Sequence, residues 1–469
     1  MTTVSLRMQT SKLVLAVALA TGTAMVAGHI APGEAQAQRA KSKKKKKKGD
    51  ENAAQYSDEW RAVFVPLNEG LSAEGGDPAA YRPQIEQLVG LTQSGDEKLQ
   101  TGQLIYNAGL ASFNLAQTDE AKTAAQAERL RGMELMIESG KAPIAATGQY
   151  NYIAYQLASV AGQHEKSREY LKTAVGLGFT GGQSQADLKL ALAQTYFRTE
   201  EYKQGLAVMD EAFATAAAAG EPLSDELYAY AFSVAFNNGI VPEVYDYAVE
   251  RARFHPSEDN WTNAINVVRR FNDYDDQPTL DLLRLSRAAG VMNDKQNYII
   301  YVETADARRL PQEVRDVIEE GYANGAIERS DTYVADQLRI ASGRIASDRA
   351  DLPALEADAR ASGASLATVR AAGNAFLSYG EYTKAAEFYE KTLGLPGVDA
   401  GEALTRLGIA QIGMEDYAAA QETFAKVTGP RMPIAKVWSG FALYESGGDA
   451  PGATSEDSSP SLEDLMNAS

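Results

Sequence analysis

A match of the chain to itself after a shift of 35 residues is the feature that most constrains the fold of this 469-residue sequence. In each copy a glycine is followed, at the same spacing, by a tyrosine, an alanine and a second aromatic residue. The two copies are Gly373, Tyr382, Ala385 and Tyr389, and Gly408, Tyr417, Ala420 and Phe424. A unit of this length cannot bury its apolar face alone, so neighbouring units must stack to form a continuous core.

A third copy lies upstream, where Leu192 and Ala193 precede Tyr196 and Tyr202. Residues 56–446 as a whole are rich in Ala and Leu and carry aromatic residues at helical spacing. Gly or Pro interrupts this pattern about every fifteen to twenty residues, and no long stretch alternates as a strand would. The pattern predicts short helices joined by tight turns.

These copies resemble the tetratricopeptide repeat, in which Leu-Gly-x-x-Tyr, Ala-x-x-x-Phe and Pro recur over about 34 residues. The resemblance implies an all-α fold, an α-solenoid of helix–turn–helix repeats that forms a superhelix. It also implies that the small residues allow close helix contacts and that the aromatic residues fill the grooves beside them. At about 35 residues per pair, the body of the chain would hold about eleven helix pairs.

Composition and repeat register divide the chain into six predicted segments, of which the central one keeps a helical pattern with poor register. The segments are residues 1–37, a signal peptide; 38–55, a disordered lysine-rich arm; 56–255, N-terminal repeats; 256–360, degenerate helical repeats; 361–446, C-terminal repeats with a capping helix; and 447–469, a disordered acidic tail.

The N-terminus has the parts of a secretory signal peptide. Arg7 and Lys12 precede an apolar run over residues 13–27, and small residues surround Ala37. This order predicts cleavage after Ala37 and a periplasmic or secreted protein, with an uncleaved membrane anchor as the alternative. No other stretch is apolar enough to span a membrane, so we expect no transmembrane segment in the mature chain.

Charge is distributed very unevenly along the sequence. The chain has 45 basic and 63 acidic residues, yet the first 48 residues contain ten of the basic residues and one of the acidic residues. The acidic body argues against a nucleic acid partner, because binding phosphates requires clustered Lys and Arg. The run Lys43–Lys48 could contact an anionic envelope surface, fold back onto the acidic body, or serve as a solvated tether.

The residues that catalysis and metal binding usually need are scarce. The chain has no Cys and three His, and it lacks the usual nucleophile, phosphate-loop and zinc motifs. We therefore predict no catalytic, cofactor-binding or metal-binding residues, and we interpret His164 and His255 as structural. A catalytic site formed by carboxylates of the degenerate central region is the remote alternative.

One set of polar residues suggests a binding site for a partner. Some tetratricopeptide domains hold the C-terminal carboxylate of a partner with basic residues and Asn on successive first helices. Arg370 and Asn374 match the opening pair, and Lys436 matches a later basic position, whereas Arg406 stands where the family has Asn. Ordinary polar residues on an exposed surface are the alternative.

The chain thus resembles exported tetratricopeptide proteins of Gram-negative bacteria. The resemblance implies a non-catalytic scaffold or assembly factor of the cell envelope that binds a protein or peptide and needs no cofactor. The rival hypothesis is a protein that binds anionic glycan or lipid through its lysine-rich arm.

Overall fold

Every regular element in the described part of the chain is helical. The computed structural model describes residues 54–73, 77–221 and 223–447. These residues form twenty α-helices and two short 3-10 helices, at Pro78–Tyr81 and Gly429–Arg431, and they contain no strand. The prediction of an all-α fold is confirmed.

The described residues divide into two compact units, the first ending at Ala216 and the second beginning at Ala217. Both predicted internal boundaries, after residues 255 and 360, fall within the second unit. The predicted signal peptide with its cleavage after Ala37, the run Lys43–Lys48 and the tail beyond Gly447 lie outside the described residues.

The helices of the first unit run from α1 to α8, the last of which continues past the boundary. Their bounds are α1 (Asp58–Ser72), α2 (Arg82–Leu91), α3 (Gly95–Leu115), α4 (Asp119–Glu138), α5 (Ile144–Val160), α6 (His164–Gly176), α7 (Gln185–Phe197) and α8 (Tyr202–Ala219). From α1 to α7, each helix packs against the next one in the chain.

The second unit contains twelve helices within its described residues. Their bounds are α9 (Asp225–Asn237), α10 (Glu243–Phe254), α11 (Glu258–Phe271), α12 (Asp276–Ala288), α13 (Lys295–Ala305), α14 (Pro311–Ala323), α15 (Thr332–Arg360), α16 (Leu366–Ser378), α17 (Tyr382–Leu393), α18 (Ala400–Gly413), α19 (Tyr417–Phe424) and α20 (Met432–Glu445). Each packs against the next in chain order, which is the arrangement of an α-solenoid. The superhelix stays a prediction.

The same turn joins the two helices of several pairs. A residue with positive φ ends the first helix, and the next N–H donates to a carbonyl five residues back, as in a Schellman motif. Gly380, with φ of +73°, and Glu415, with φ of +62°, hold this position 35 residues apart. The closing bonds measure 2.9 Å in both turns, from Glu381 to Phe376 and from Asp416 to Gln411. The turn geometry therefore repeats with the sequence.

The repeated glycines lie where an aromatic ring of the second helix crosses the first. A Cβ added to Gly373 would lie 2.9 Å from the Tyr389 ring, and a Cβ added to Gly408 would overlap the Phe424 ring. Tyr382 packs in the same way over Gly413 of the following repeat. The absence of a side chain at these positions lets each ring lie against the neighbouring backbone.

The other repeat residues divide into buried and partly exposed positions. Leu192, Ala193, Ala385 and Ala420 are buried, which fits the close contacts expected of them. The tyrosines at the helix starts and ends are more open. Tyr196, Tyr202 and Tyr417 are half-buried, and Tyr382 is 36% exposed.

The last helix of the second unit does more than cover the end of a stack. The sequence predicts a terminal helix over residues 433–444, and α20 covers the last repeat as expected. It also packs against α10, α11 and α12 of the same unit. Trp261 of α11 meets Phe441 of α20 edge to face at 5.6 Å, and Gly440 lies directly against Val249 of α10. From α10 to α20, the helices of this unit therefore form a closed circuit of contacts.

Candidate functional site

Three of the four residues predicted to bind a partner lie together in the second unit. Arg370 and Asn374 are on α16, and Arg406 is on α18. Nη1 of Arg406 donates to Oδ1 of Asn374 at 3.0 Å and also to Glu402. Arg370 lies 3.9 Å from the same Glu402. The three residues that the sequence grouped therefore lie close together in the structure, but their guanidiniums already contact acceptors within the protein.

Lys436 lies apart from that cluster. It is on α20 and forms an ion pair with Asp246 of α10, so it contributes to the closure of the unit. Arg406 is 1% exposed, whereas Arg370 keeps half of its side-chain surface open. A partner's carboxylate would have to replace an internal one at Arg406 or Lys436. Binding of a partner by these four residues stays a prediction.

The centre of the closure is Asp281 of α12, a residue that the sequence did not single out. Its side chain is completely buried. It accepts hydrogen bonds from Arg284 at 2.9 Å, from Arg406 at 3.1 Å and from Arg431 at 2.6 Å. Its backbone carbonyl accepts a bond from Nε1 of Trp438 at 3.0 Å. One residue of α12 thus contacts α18, the segment before α20, and α20 itself.

A second buried carboxylate extends this network away from the closure. Glu313 of α14 accepts two bonds of 2.8 Å from the Arg284 guanidinium. The Tyr301 hydroxyl donates to the same carboxylate at 2.6 Å. Burial raises the pKa of Tyr301 well above its ordinary value, and the Glu313 charge adds to the increase. Tyr301 therefore acts as a hydrogen-bond donor at neutral pH.

The charges of the network balance. Its three guanidiniums face three carboxylates: Arg284, Arg406 and Arg431 face Asp281, Glu313 and Glu402. Burial alone would raise the pKa of Asp281, but the guanidiniums, Arg406 foremost, more than offset burial, so that this pKa is lowered. Burial and Arg284 act in the same opposed way on the pKa of Glu313, which is also lowered. Both carboxylates are therefore ionised at neutral pH.

A local signal for Asp281 does exist in the sequence. It stands with Arg284 among Leu280, Leu282, Leu283 and Leu285, on a helix that is buried on most sides. An acid and a base one turn apart within such an apolar segment indicate a buried ion pair. The pattern does not reveal the other two guanidiniums, because they lie 125 and 150 residues further along the chain.

The described residues also contain a surface groove, in the first unit. It has a cavity volume of about 400 Å³ and runs along α3, with α2 on one side and α4 on the other. Its floor consists of small and apolar residues, among them Ile105, Ala108 and Ala125. Leu115 lines the same groove and is 59% exposed. An open channel with both apolar and polar side chains in its lining suits the side chains of a bound segment.

The rim of the groove carries mainly acidic side chains. Asp77, Glu86 and Glu128 line it together with a single base, Arg82. Arg131 donates two hydrogen bonds to Glu86, at 2.6 and 2.8 Å, and lies 3.6 Å from Glu128. The bond from Arg131 lowers the pKa of Glu86, so this carboxylate is charged at neutral pH.

The histidines and carboxylates offer no metal site in the described part of the chain. No group of three or more His, Asp or Glu residues is arranged there to hold a metal ion. His164 begins α6, and Nε2 of His255 lies 2.9 Å from the Leu223 carbonyl oxygen, at the end of α10. None of the helices within the described ranges is both long enough and apolar enough to cross a membrane.

No model of a known protein family matches this chain, and no curated protein matches it either.

Proposed function

We propose that this protein is a tetratricopeptide-like scaffold or assembly factor of the bacterial cell envelope, which binds a segment of a partner protein without catalysis. The observation that supports the proposal most directly is the groove along α3. Helices that pack in chain order leave such channels between successive layers, and repeat proteins bind partners on surfaces of this kind. The export signal that the sequence predicts over residues 1–37 supports a setting outside the cytoplasm.

The groove favours a partner segment with short apolar side chains at helical or extended spacing. Alanine residues from α3 and α4 form much of its floor and walls, so a bound segment can approach the helix backbones closely. An amphipathic segment would place its apolar residues in this channel and its polar residues at the rim. Because the rim is mainly acidic, basic side chains beside the apolar anchors would strengthen binding.

Two alanines of α4 provide a matched pair of variants for the test. Ala124 lines the groove and Ala127 does not, although both are exposed positions in the middle of the same helix. Ala124→Trp should fill the groove, and Ala127→Trp should add the same side chain outside it. Circular dichroism and a thermal melt would establish that both variants fold.

Each variant and the wild type would be used to capture proteins from a native envelope extract. We expect polypeptides that bind the wild type and Ala127→Trp and are lost with Ala124→Trp. If both variants capture the same polypeptides as the wild type, the groove is not the binding site and the proposal loses its main support.

A further inference from the structure

The chain that leads to the lysine run is anchored at a defined point of the first unit. The backbone N–H of Gln55 donates to Asp96 at 3.0 Å, and its carbonyl accepts a bond of 2.6 Å from the Ser94 hydroxyl. The N–H of Ser57 donates to Glu97 at 2.7 Å. Residues 54–57 are thereby held against the N-terminal end of α3, the helix that forms the floor of the groove.

We propose that Lys43–Lys48 occupies the groove along α3 in the same chain. The distances permit it. The α3 residues of the groove, from Ile105 to Ala116, lie roughly 12–29 Å from Glu97 along the helix axis, at about 1.5 Å per residue. The lysines are seven to twelve residues before Gln55, which gives an extended reach of about 23–40 Å. A segment with this reach is therefore long enough to place the lysine run along the groove.

The chemistry of the groove suits lysine in both of its parts. The aliphatic stem of a lysine packs on apolar surface while the ammonium group stays in water or meets a carboxylate. The floor supplies the apolar surface, and Asp77 supplies a carboxylate at the rim, whereas Glu128 already lies 3.6 Å from Arg131. The N-terminal turn of α4 adds Asp119 and Glu120 beside the lining residue Ala121.

Charge favours this segment over the other end of the chain. Residues 54–216 contain 20 acidic and 13 basic side chains, so the first unit as a whole attracts a run of six lysines. Residues 448–469 contain five acidic residues and no basic one, and an acidic rim disfavours them. If the groove also binds the partner of the proposed function, the lysine run competes with that partner for it.

Because the chain contains no cysteine, any disulfide within one chain of a double-cysteine variant must join the two introduced thiols. Ser42→Cys places a thiol next to the lysine run. It is combined in the full chain either with Ala124→Cys in the groove or, as the control, with Ala127→Cys outside it. Disulfide formation under a mild oxidant is followed by the mobility of the monomer on a non-reducing gel.

We expect the pair with Ala124→Cys to form its intramolecular disulfide about tenfold faster than the control pair at low salt. The difference should shrink at 1 M salt, where the Debye length falls to about 3 Å. It should disappear when Lys43 to Lys48 are all replaced by Gln. Each of these results supports the lysine run as the occupant of the groove.

Other results overturn the inference. Equal rates of disulfide formation at both positions mean that the arm does not lie in the groove. If the rates are equal and the protein also binds phosphatidylglycerol vesicles in a separate co-sedimentation assay, the arm is assigned to lipid. Disulfides between chains would assign the groove to a second copy, and a fast disulfide that survives the Gln replacements would exclude the lysines. The cross-link needs no partner. Because an occupied groove would block partner capture, the capture is repeated with Lys43 to Lys48 replaced by Gln, and failed capture by that chain together with a positive wild-type cross-link counts against the proposed function alone.

Discussion

Asp281→Asn is the substitution that tests the closure of the second unit most directly. Asparagine keeps the size of the side chain and removes its charge, so that Arg406 and Arg431 lose their buried carboxylate. Both guanidiniums are almost completely buried. Arg406 would then keep only Glu402 as a carboxylate partner, and Arg431 would keep none among the described residues. The acceptor for Trp438 is the backbone carbonyl, which the substitution leaves in place.

The expected loss follows from the number and burial of these bonds. The Asp281 carboxylate accepts from three guanidiniums at 2.6–3.1 Å, and none of the groups is exposed to screening by solvent. Removal of one partner from a buried ion pair costs about 3–5 kcal/mol, because the remaining charge stays buried. Domains are stable by about 5–15 kcal/mol in total, so a loss of this size is a large fraction of the free energy of unfolding.

Urea unfolding followed by tryptophan fluorescence can measure this loss in the second unit. Two of the three tryptophans, Trp261 and Trp438, lie at the closure of that unit, and Trp60 lies in the first. A Trp60→Phe background would therefore restrict the signal to the second unit. Asp273→Asn, an exposed position in the loop before α12, is the matched control.

The closure interpretation also predicts the behaviour with pH. The pKa of Asp281 is lowered in the folded state, so its stabilisation is complete above the unfolded pKa of about 3.9 and is lost as the pH falls through the folded pKa. Asp281→Asn should remove this part of the acid sensitivity. The reasoning is refuted if Asp281→Asn changes the free energy of unfolding by no more than Asp273→Asn does.

Three further substitutions test local features of the fold. Burial opposes the ionisation of Glu97, but backbone N–H donors more than offset burial and lower its pKa to about 2. Glu97→Gln should therefore reduce the free energy of unfolding by about 3 kcal/mol at pH 7 and remove the loss of stability that the wild type shows below about pH 4.5. Urea unfolding followed by Trp60 fluorescence measures both effects, and an unchanged pH profile would contradict this reasoning. Glu415→Gly should raise the free energy of unfolding by about 1 kcal/mol, because glycine relieves the strain of a positive φ, and a loss in urea unfolding would contradict the turn geometry. Gly408→Ala should reduce the free energy of unfolding by about 1–3 kcal/mol in thermal or urea unfolding, because the added Cβ overlaps the Phe424 ring. Phe424→Leu in the same background should restore part of that loss. No loss for Gly408→Ala would argue against the close contact.

Features that arise within one repeat could be predicted from the sequence. The pairs Gly373 with Tyr389 and Gly408 with Phe424 are each 16 residues apart, and the resemblance to the tetratricopeptide repeat implied the close contact between the small residue and the ring. The terminal helix predicted over residues 433–444 is the helix Met432–Glu445 of the structure. Helical periodicity and turn residues act over short distances, so they are visible without knowledge of the tertiary fold.

The groove and the charge network could not be predicted in this way. Arg406 was expected to meet a partner, and the fold instead places it against Asp281, 125 residues earlier in the chain. The groove requires α2, α3 and α4 to pack at particular angles, which the composition of each helix does not specify.

The 35-residue match thus determined the all-α class, the helix pairs and the contacts between small and aromatic residues, because each depends on neighbours in the chain. Only the tertiary structure decided that α20 returns to α10 and that three guanidiniums share one carboxylate. The physical reason is that the contact between α20 and α10 depends on how all the helices between them pack, which no single helix specifies. Side chains on surfaces that meet in this way form hydrogen bonds and ion pairs between residues more than a hundred positions apart, and no local sequence pattern indicates which residues will pair.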